Sequence, residues 1–201
     1  MVDELLSKYP LISDQVDRSQ LHVILNELDA FLLRRKAGAV TEFGCYIGTT
    51  SLFIRRLVDA YHDNREFHVY DSFEGLPPKT AADESRAGEQ FRAGELAVTK
   101  KQFLQQFQKA GLRPPIIHKG WFSGLAVTDV PDKVAFAFLD GDFYESIRDS
   151  LKLVLPRMQP GGTIIVDDYA REALPGAARA VHEFFAAESV TTTHNLGIIH
   201  L

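Results

Sequence analysis

Short apolar runs rich in β-formers alternate along the chain with longer stretches whose apolar residues recur every three to four positions. That alternation is the signature of an open parallel sheet covered by helices on both faces. Leu21, Ile24, Leu25, Leu28, Phe31 and Leu32 keep helical spacing and predict an opening amphipathic helix that closes near Gly38. A strand at 39–43 then runs into Gly44-Cys45-Tyr46-Ile47-Gly48, and a helix from about Thr49 follows with Leu52, Phe53 and Leu57 inward. Further strands are expected at 67–71, 115–118, 134–140 and 163–167, with helices at 99–110, 144–158 and 174–187. The strand that begins at Val134 is apolar enough to be central and buried on both faces. The tail alternates over 190–194 and 197–201 about Asn195-Leu196, which predicts two strands antiparallel to each other. The pattern as a whole predicts an α/β fold with a doubly wound, mostly parallel, seven-stranded sheet and a C-terminal antiparallel pair. Residues 1–38 read as an N-terminal helical segment. The stretch 77–98, rich in Gly, Pro, Ala and charge (Arg86, Glu89, Arg92, Glu95), reads as a lid loop.

Composition narrows the picture. With 201 residues, 45% of them hydrophobic, the chain fits one domain. Lys and Arg number 22 against 27 Asp and Glu, a net charge of −5, so no basic reservoir exists to neutralise a phosphate backbone and nucleic acid is not an expected partner. The single cysteine, Cys45, rules out an intramolecular disulfide and a cysteine zinc cage, which suits a reducing, cytoplasmic setting. Asp3 and Glu4 at the start do not make a secretory signal, and no apolar run approaches the roughly 20 residues of a membrane span. No membrane partner is expected, and homo-oligomerisation is left open.

Chemistry is expected where an open parallel sheet binds ligands, beyond the carboxyl ends of its strands. After the first strand, the turn Glu42 to Gly48 has glycines that let backbone N–H groups approach a ligand, with a helix start behind them. Neither G-x-G-x-x-G nor G-x-x-x-x-G-K is present, which disfavours a dinucleotide or a triphosphate. Asp71, 23 residues past Gly48, ends the second strand, where an acid can accept ribose hydroxyls, so the pair suggests an adenosine-type cofactor. The competing reading of Asp71 is a turn cap through Ser72. Asp140 and Asp142 follow the fourth strand, and Asp167 and Asp168 follow the fifth. Four carboxylates at neighbouring strand ends raise one another's pKa unless a cation sits between them, which points to Mg²⁺ or Mn²⁺. A helix cap is the competing reading for one of them.

In their order along the chain these segments resemble class I S-adenosylmethionine-dependent methyltransferases, specifically the macrocin O-methyltransferase-like family of antibiotic sugar O-methyltransferases. The resemblance is carried by Glu42 to Gly48, Asp71-Ser72-Phe73-Glu74-Gly75-Leu76-Pro77, Gly120-Trp121-Phe122, Asp140-Gly141-Asp142-Phe143-Tyr144, Pro160-Gly161-Gly162, Asp167-Asp168-Tyr169 and Ala180-Val181-His182-Glu183. It implies a Rossmann-like fold and a Mg²⁺ held by Asp140, Asp167 and Asp168. It places S-adenosylmethionine against Glu42, Phe43, Gly44, Cys45, Tyr46, Asp71, Ser72, Phe73, Gly75, Gly120 and Trp121, with Thr99 as a further contact. The lysine base of the more distant catechol methyltransferases has no counterpart after Asp140. That leaves Asp142 as the preferred general base and Asp140 as its rival. The implied acceptor is a small hydroxylated molecule, a sugar or other vicinal diol. A catechol-type phenol is the alternative, and a haloacid-dehalogenase-like phosphatase or a cofactor-binding protein without catalysis are readings of another class. The histidines mostly read as residues without a chemical role; for His118, just before Lys119-Gly120-Trp121, a place beside the cofactor is the lesser alternative.

Overall fold

The computed structural model describes residues 1–85, 87 and 91–201, so Arg86 and Glu89 of the expected lid lie outside the described residues. Two helices precede the sheet, α1 (Val2–Lys8) and α2 (Arg18–Leu33). The hydrophobic pattern does not announce α1, which buries only Val2 and Leu6; Arg18, at the start of α2, donates to the Leu6 carbonyl and holds it in place. Asp17 caps α2. Its Oδ1 accepts the N–H groups of Ser19 and Gln20 at 2.7 and 2.8 Å, while Gln20 Oε1 accepts the Asp17 N–H at 3.0 Å.

The elements that follow are β1 (Ala39–Phe43), α3 (Thr49–Ala60), β2 (Phe67–Asp71), α4 (Lys100–Ala110), β3 (Ile116–Lys119), β4 (Val134–Leu139) and α5 (Tyr144–Val154). They are completed by β5 (Met158–Val166), α6 (Pro175–Val181), β6 (Thr191–Thr193) and β7 (Leu196–His200). All seven strands form one sheet in the order β3-β2-β1-β4-β5-β7-β6. It is parallel from β3 to β5, and β7 runs antiparallel to both β5 and β6. This is the doubly wound, mostly parallel architecture expected from the pattern. The chain steps outward from β1 to β2 and β3, then returns to the other side of β1 as β4, which opens a crevice between the β1 and β4 ends.

Register fixes what faces that crevice. Phe43 pairs with Leu139 and Leu139 with Val166, so the residues that follow, Asp140 and Asp167, leave the sheet side by side. The Asp140 N–H donates to the Phe43 carbonyl at 2.7 Å and the Asp167 N–H to the Leu139 carbonyl at 2.8 Å. Alternate strand positions feed two cores. Val40, Phe136, Phe138 and Ile165 pack with Leu21, Ile24 and Phe53 from α2 and α3. Phe43, Ala137, Leu139 and Val166 pack with Ile147, Leu151 and Ala177 from α5 and α6.

Several boundaries differ from the sequence expectation for local reasons. α5 ends at Val154, because Pro156 cannot continue an α-helix, and a 3₁₀ turn over Leu155–Arg157 takes its place. β5 starts at Met158 and passes through 160–162, since Gly161 N–H donates to the Leu201 carbonyl and Leu201 N–H to the Gly162 carbonyl. α6 stops at Val181, short of 187, and β6 turns into β7 at His194-Asn195, both in the left-handed region. That turn lies one residue earlier than the alternation suggested.

The described residues of the 77–98 stretch are hydrogen-bonded to one another and to α5. Leu76 N–H donates to Glu95 O at 2.8 Å and Gly94 N–H to Leu76 O at 2.9 Å, which closes its neck. Phe143, the residue before α5, offers no side-chain cap, and Asp83 supplies one from the loop by accepting the Tyr144 N–H on Oδ1 at 2.7 Å. Its Oδ2 accepts Thr80 N–H and Oγ1–H at 3.0 and 2.9 Å, and Asp83 is only 1% exposed. Replacement Asp83→Ala is expected to cost about 1–3 kcal/mol by leaving these donors without a partner. Denaturant unfolding measures it; a loss below roughly 0.5 kcal/mol, the range of an ordinary surface change, would contradict the capping role.

Candidate functional site

The crevice beyond β1 and β4 opens into a cleft, in the place where an open parallel sheet binds a ligand. Gly44, Cys45, Tyr46, Asp71, Ser72, Gly75, Gly120 and Trp121 line it at one side, and Asp140, Asp142, Asp167 and Asp168 at the other. Twelve of the sixteen residues singled out in the sequence therefore share one space.

The remaining four stand apart. Glu42 does not line the cleft; it is fully buried beside it and accepts the Ser51 hydroxyl of α3 at 2.5 Å. Phe43 is a core residue stacked on Tyr70, with ring centroids 4.3 Å apart. Phe73 is buried against Phe103. Thr99 is spent on capping α4: its Oγ1 accepts the Gln102 N–H at 3.2 Å, and Gln102 Oε1 accepts the Thr99 N–H at 2.9 Å. His118 stacks on Tyr70 and hydrogen-bonds His68 at 2.9 Å, in keeping with its reading as a residue without a chemical role.

Asp71 organises one side of the cleft. Its Oδ2 accepts the N–H groups of Cys45 and Tyr46 at 2.8 and 3.3 Å, and Oδ1 accepts that of Phe73 at 2.6 Å. The end of β2 is thereby laced to the turn after β1. A carboxylate has about four acceptor positions, so roughly one is left for a ligand hydroxyl, where two were expected. Gly44 permits this turn to pass close to β4: its φ is +87°, and a Cβ there would be driven into the Asp140 carbonyl. The Cys45 thiol, against Asp71, is pushed well above its usual pKa by burial first and by the Asp71 charge next, which argues against a nucleophilic role.

The acidic side is strained and crowded. Asp142 and Asp168 both have positive φ, +59° and +57°, a conformation that Asp tolerates better than most residues. Phe143 N–H donates to Gly141 O at 2.6 Å, so Asp142 sits at the tip of a tight three-residue turn. Burial, then the charges of Asp167, Asp142 and Asp168, push the Asp140 carboxyl far up. Asp142 is raised in the same way, chiefly by burial and Asp168. Asp167 is pushed up to about 7 by burial and the Asp168 charge. Burial also raises Asp168, against the opposing pull of Arg171.

Two residues that sequence reasoning did not identify act here. Arg171 pairs with Asp168 at 3.0 Å and lies over the Phe91 ring, 5.0 Å from its centroid. Its position three residues after Asp168 is a signal that could have found it. Gln20 Nε2 donates to Asp167 Oδ1 at 3.1 Å across a separation of 147 residues, for which sequence offers no signal.

The donor set suits a hard divalent cation in its chemistry: all ligating atoms would be carboxylate oxygens, and the Asp140 and Asp142 side chains accept no hydrogen bond among the described residues. Among the described residues, however, no three His, Cys, Asp or Glu side chains are arranged as a metal cage. No helix among them is long and apolar enough to cross a membrane.

The family model described as Macrocin-O-methyltransferase (TylF) matches residues 14–197, which takes in both sides of the cleft. The chain belongs to the macrocin O-methyltransferase family. Family membership and the position of the Asp140-x-Asp142 pair after β4, not after the first strand, set aside the haloacid-dehalogenase-like reading. Within the family's range, the chain is 36% identical over 154 residues to 8-demethyl-8-(2,3-dimethoxy-alpha-L-rhamnosyl)-tetracenomycin-C 4'-O-methyltransferase of Streptomyces olivaceus, covering 73% of this chain and 58% of that protein. It is 32% identical over 158 residues to demethyldecarbamoylnovobiocin O-methyltransferase of Streptomyces niveus, covering 74% of this chain and again 58% of the relative. The chain thus spans less than two thirds of the length of either. Among solved structures, the O-methyltransferase NovP superposes with a TM-score of 0.79 at 26% identity, over 90% of this chain and 78% of that one. The calicheamicin methyltransferase CalS11 shares the fold, with a TM-score of 0.75 at 18% identity over 99% of this chain and 89% of that one.

Glu42 gives this site a measurable pH dependence. Burial first, then the Asp71 charge, raises its carboxyl to about 8 from the ordinary 4.5, against the lowering effect of the Ser51 hydrogen bond. The folded state then binds more protons than the unfolded one between pH 4.5 and about 8. Stability contributed by protonated Glu42 is full below that window and is lost as pH rises through it. Glu42→Gln is expected to flatten this dependence and to be more stable than wild type above pH 8. Melting curves of cofactor-free protein at pH 6 and pH 9 decide the matter; parallel losses in both proteins would contradict it.

Proposed function

We propose that the protein is an S-adenosylmethionine-dependent O-methyltransferase that acts on a hydroxyl of a small molecule, a sugar or other vicinal diol of secondary metabolism. One observation carries this reading: a single cleft has the Gly44 turn, laced to Asp71, on one side and four crowded carboxylates on the other. The names of the relatives, which methylate rhamnosyl and novobiocin-type compounds, support the acceptor class. Two solved structures that share the fold, an O-methyltransferase from Bacillus cereus in complex with S-adenosylhomocysteine and TomG from Streptomyces achromogenes in complex with S-adenosylmethionine, support the donor.

In the proposed reaction the acceptor oxygen attacks the sulfonium methyl carbon. The new O–C bond forms as the S–C bond breaks, and its electron pair goes to sulfur. The remaining acceptor position of Asp71 takes a hydroxyl of the donor, and the turn that Asp71 fixes through the Cys45 and Tyr46 N–H groups walls the donor site. Gly75 keeps Leu76 and Pro77 close beside it, where Cβ bulk would strike the Glu95 and Gly94 carbonyls. Leu76, Leu96, Trp121 and Phe122 exclude water. Asp142, at its turn tip, accepts the proton from the hydroxyl, with Asp140 its rival. Both carboxyls lack protein hydrogen-bond donors among the described residues, and that keeps them available. Holding donor and acceptor in line accounts for on the order of 7–11 kcal/mol of barrier lowering, more than a single base provides.

Asp140, Asp167 and Asp168 would hold a Mg²⁺ or Mn²⁺. When bound, the ion would orient paired acceptor oxygens and lower the pKa of the attacking hydroxyl.

Calorimetric titration of purified, cofactor-stripped protein with S-adenosylmethionine and S-adenosylhomocysteine tests the donor. Saturable binding is expected, weakened about tenfold or more in Asp71→Ala by loss of the lacing and of charge-assisted hydrogen bonds. Folded protein that neither binds nor gains thermal stability would sink the reading. An acceptor screen with and without a chelator then tests the cation and the diol: turnover is expected to fall on chelation, and mono-hydroxylated analogues that react as well as diols would refute the paired-oxygen preference. For the base, Asp142→Asn is expected to lower kcat by about 10²–10⁴-fold with donor affinity unchanged. An undiminished kcat would pass the role to Asp140.

A further inference from the structure

We propose that Gln20 is a positioning residue of the acid cluster: its carboxamide, locked by the capping box that starts α2, spends one oxygen of Asp167 on the protein and leaves the other for the cation. The inference rests on the metal part of the function proposed above and concerns a residue in a helix that precedes the whole sheet.

The orientation of the amide is determined from both sides. Gln20 Oε1 accepts the Asp17 N–H at 3.0 Å, so the opposite corner of the same group, Nε2, must be the donor toward Asp167 Oδ1 at 3.1 Å. A second donor, the Asp168 N–H, meets that oxygen at 2.9 Å. Oδ1 is thus occupied twice, and Asp167 is anchored by groups that do not change charge. Gln20 is 9% exposed and Asp167 4%, so water does not compete freely for either. Partners that hold a ligating carboxylate from behind fix its orientation and raise metal affinity.

The residue type carries the argument. A capping box is served equally by Glu or Gln at this position, because both offer the acceptor that the Asp17 N–H needs. Only toward Asp167 do they differ: Glu would set a like charge against a carboxylate already raised by its neighbour, whereas Gln supplies a donor. The start of α2 is itself anchored, through Arg18 to the Leu6 carbonyl and through the segment before it, where Ser13 meets Thr49 of α3 at 2.7 Å. The N-terminal helices thereby reach the far end of the sheet through one amide.

The test uses the full chain without donor or acceptor and reads Mn²⁺ binding by electron paramagnetic resonance. Gln20→Met, close in volume and without a donor, is expected to bind Mn²⁺ about 10–100-fold more weakly than wild type. In the methyl-transfer assay its kcat is expected to fall while KM for S-adenosylmethionine stays unchanged. A merely structural role would lower the melting temperature and leave Mn²⁺ affinity and kcat of the folded protein where they were; that result overturns the proposal. Should Gln20→Met fail to fold, Gln20→Glu retains the acceptor for the Asp17 N–H, and its kcat is expected to fall with KM unchanged. Wild-type protein that binds no Mn²⁺ defeats the metal reading instead, and Gln20 is then judged by the split between kcat and KM, an unaltered kcat overturning it.

Discussion

Like charges gathered at the ends of two buried strands set the terms for this protein. Burial in the β1/β4 crevice raises the pKa of Asp140, Asp142, Asp167 and Asp168, and neighbouring carboxylates raise the first three further. Such a group holds together only if protons stay on, if donors from the surrounding protein compensate, or if a cation enters. The structure already supplies part of the compensation, with Arg171 on Asp168 and with Gln20 and the Asp168 N–H on Asp167. Asp142 receives only the more distant charge of Arg171, and no hydrogen bond to the Asp140 or Asp142 carboxyl is found among the described residues. The chemistry proposed for the cleft uses that asymmetry, since a carboxylate without a protein partner is the one free to take a proton.

The rest of the architecture holds this unfavourable cluster in place. Parallel register between β1, β4 and β5 aligns Phe43, Leu139 and Val166, so the acids that follow emerge together. The cost of their proximity is borne by two apolar cores on opposite faces of the sheet, in which β4 is buried at every position. Asp71 uses the same principle with a different result. It is half-buried among backbone donors instead of other acids, and it joins the β1 turn to the β2 end. One cleft thus holds two carboxylate environments, one set among backbone N–H groups and the other among acids.

Tethering of the 77–98 loop belongs to the same economy of donors. Asp83 leaves the loop to cap α5, the helix that starts just past Asp142. Loop and helix start are thereby joined two residues past Asp142. Phe91 on Arg171 adds a second link between loop and acids.

Strand and helix order, the sheet's doubly wound form and its C-terminal antiparallel pair were all legible from hydrophobic period, because two-sided burial writes continuous apolar runs and helix faces write a three-to-four repeat. Most of the cleft was legible too, since ligands bind where glycine turns and acids follow strands. Glu42, Phe43, Phe73 and Thr99 belong to the same motifs but do not line the cleft, their side chains meeting Ser51, Tyr70, Phe103 and Gln102 instead. A strand alternates faces at every residue, so a motif contains residues that turn away from its ligand. The lengthened β5, the shortened α6, the docking of the loop and the contact of Gln20 with Asp167 were decided only by the tertiary structure. Each depends on a partner far along the chain, and local spacing carries no record of which distant donor will meet which acceptor.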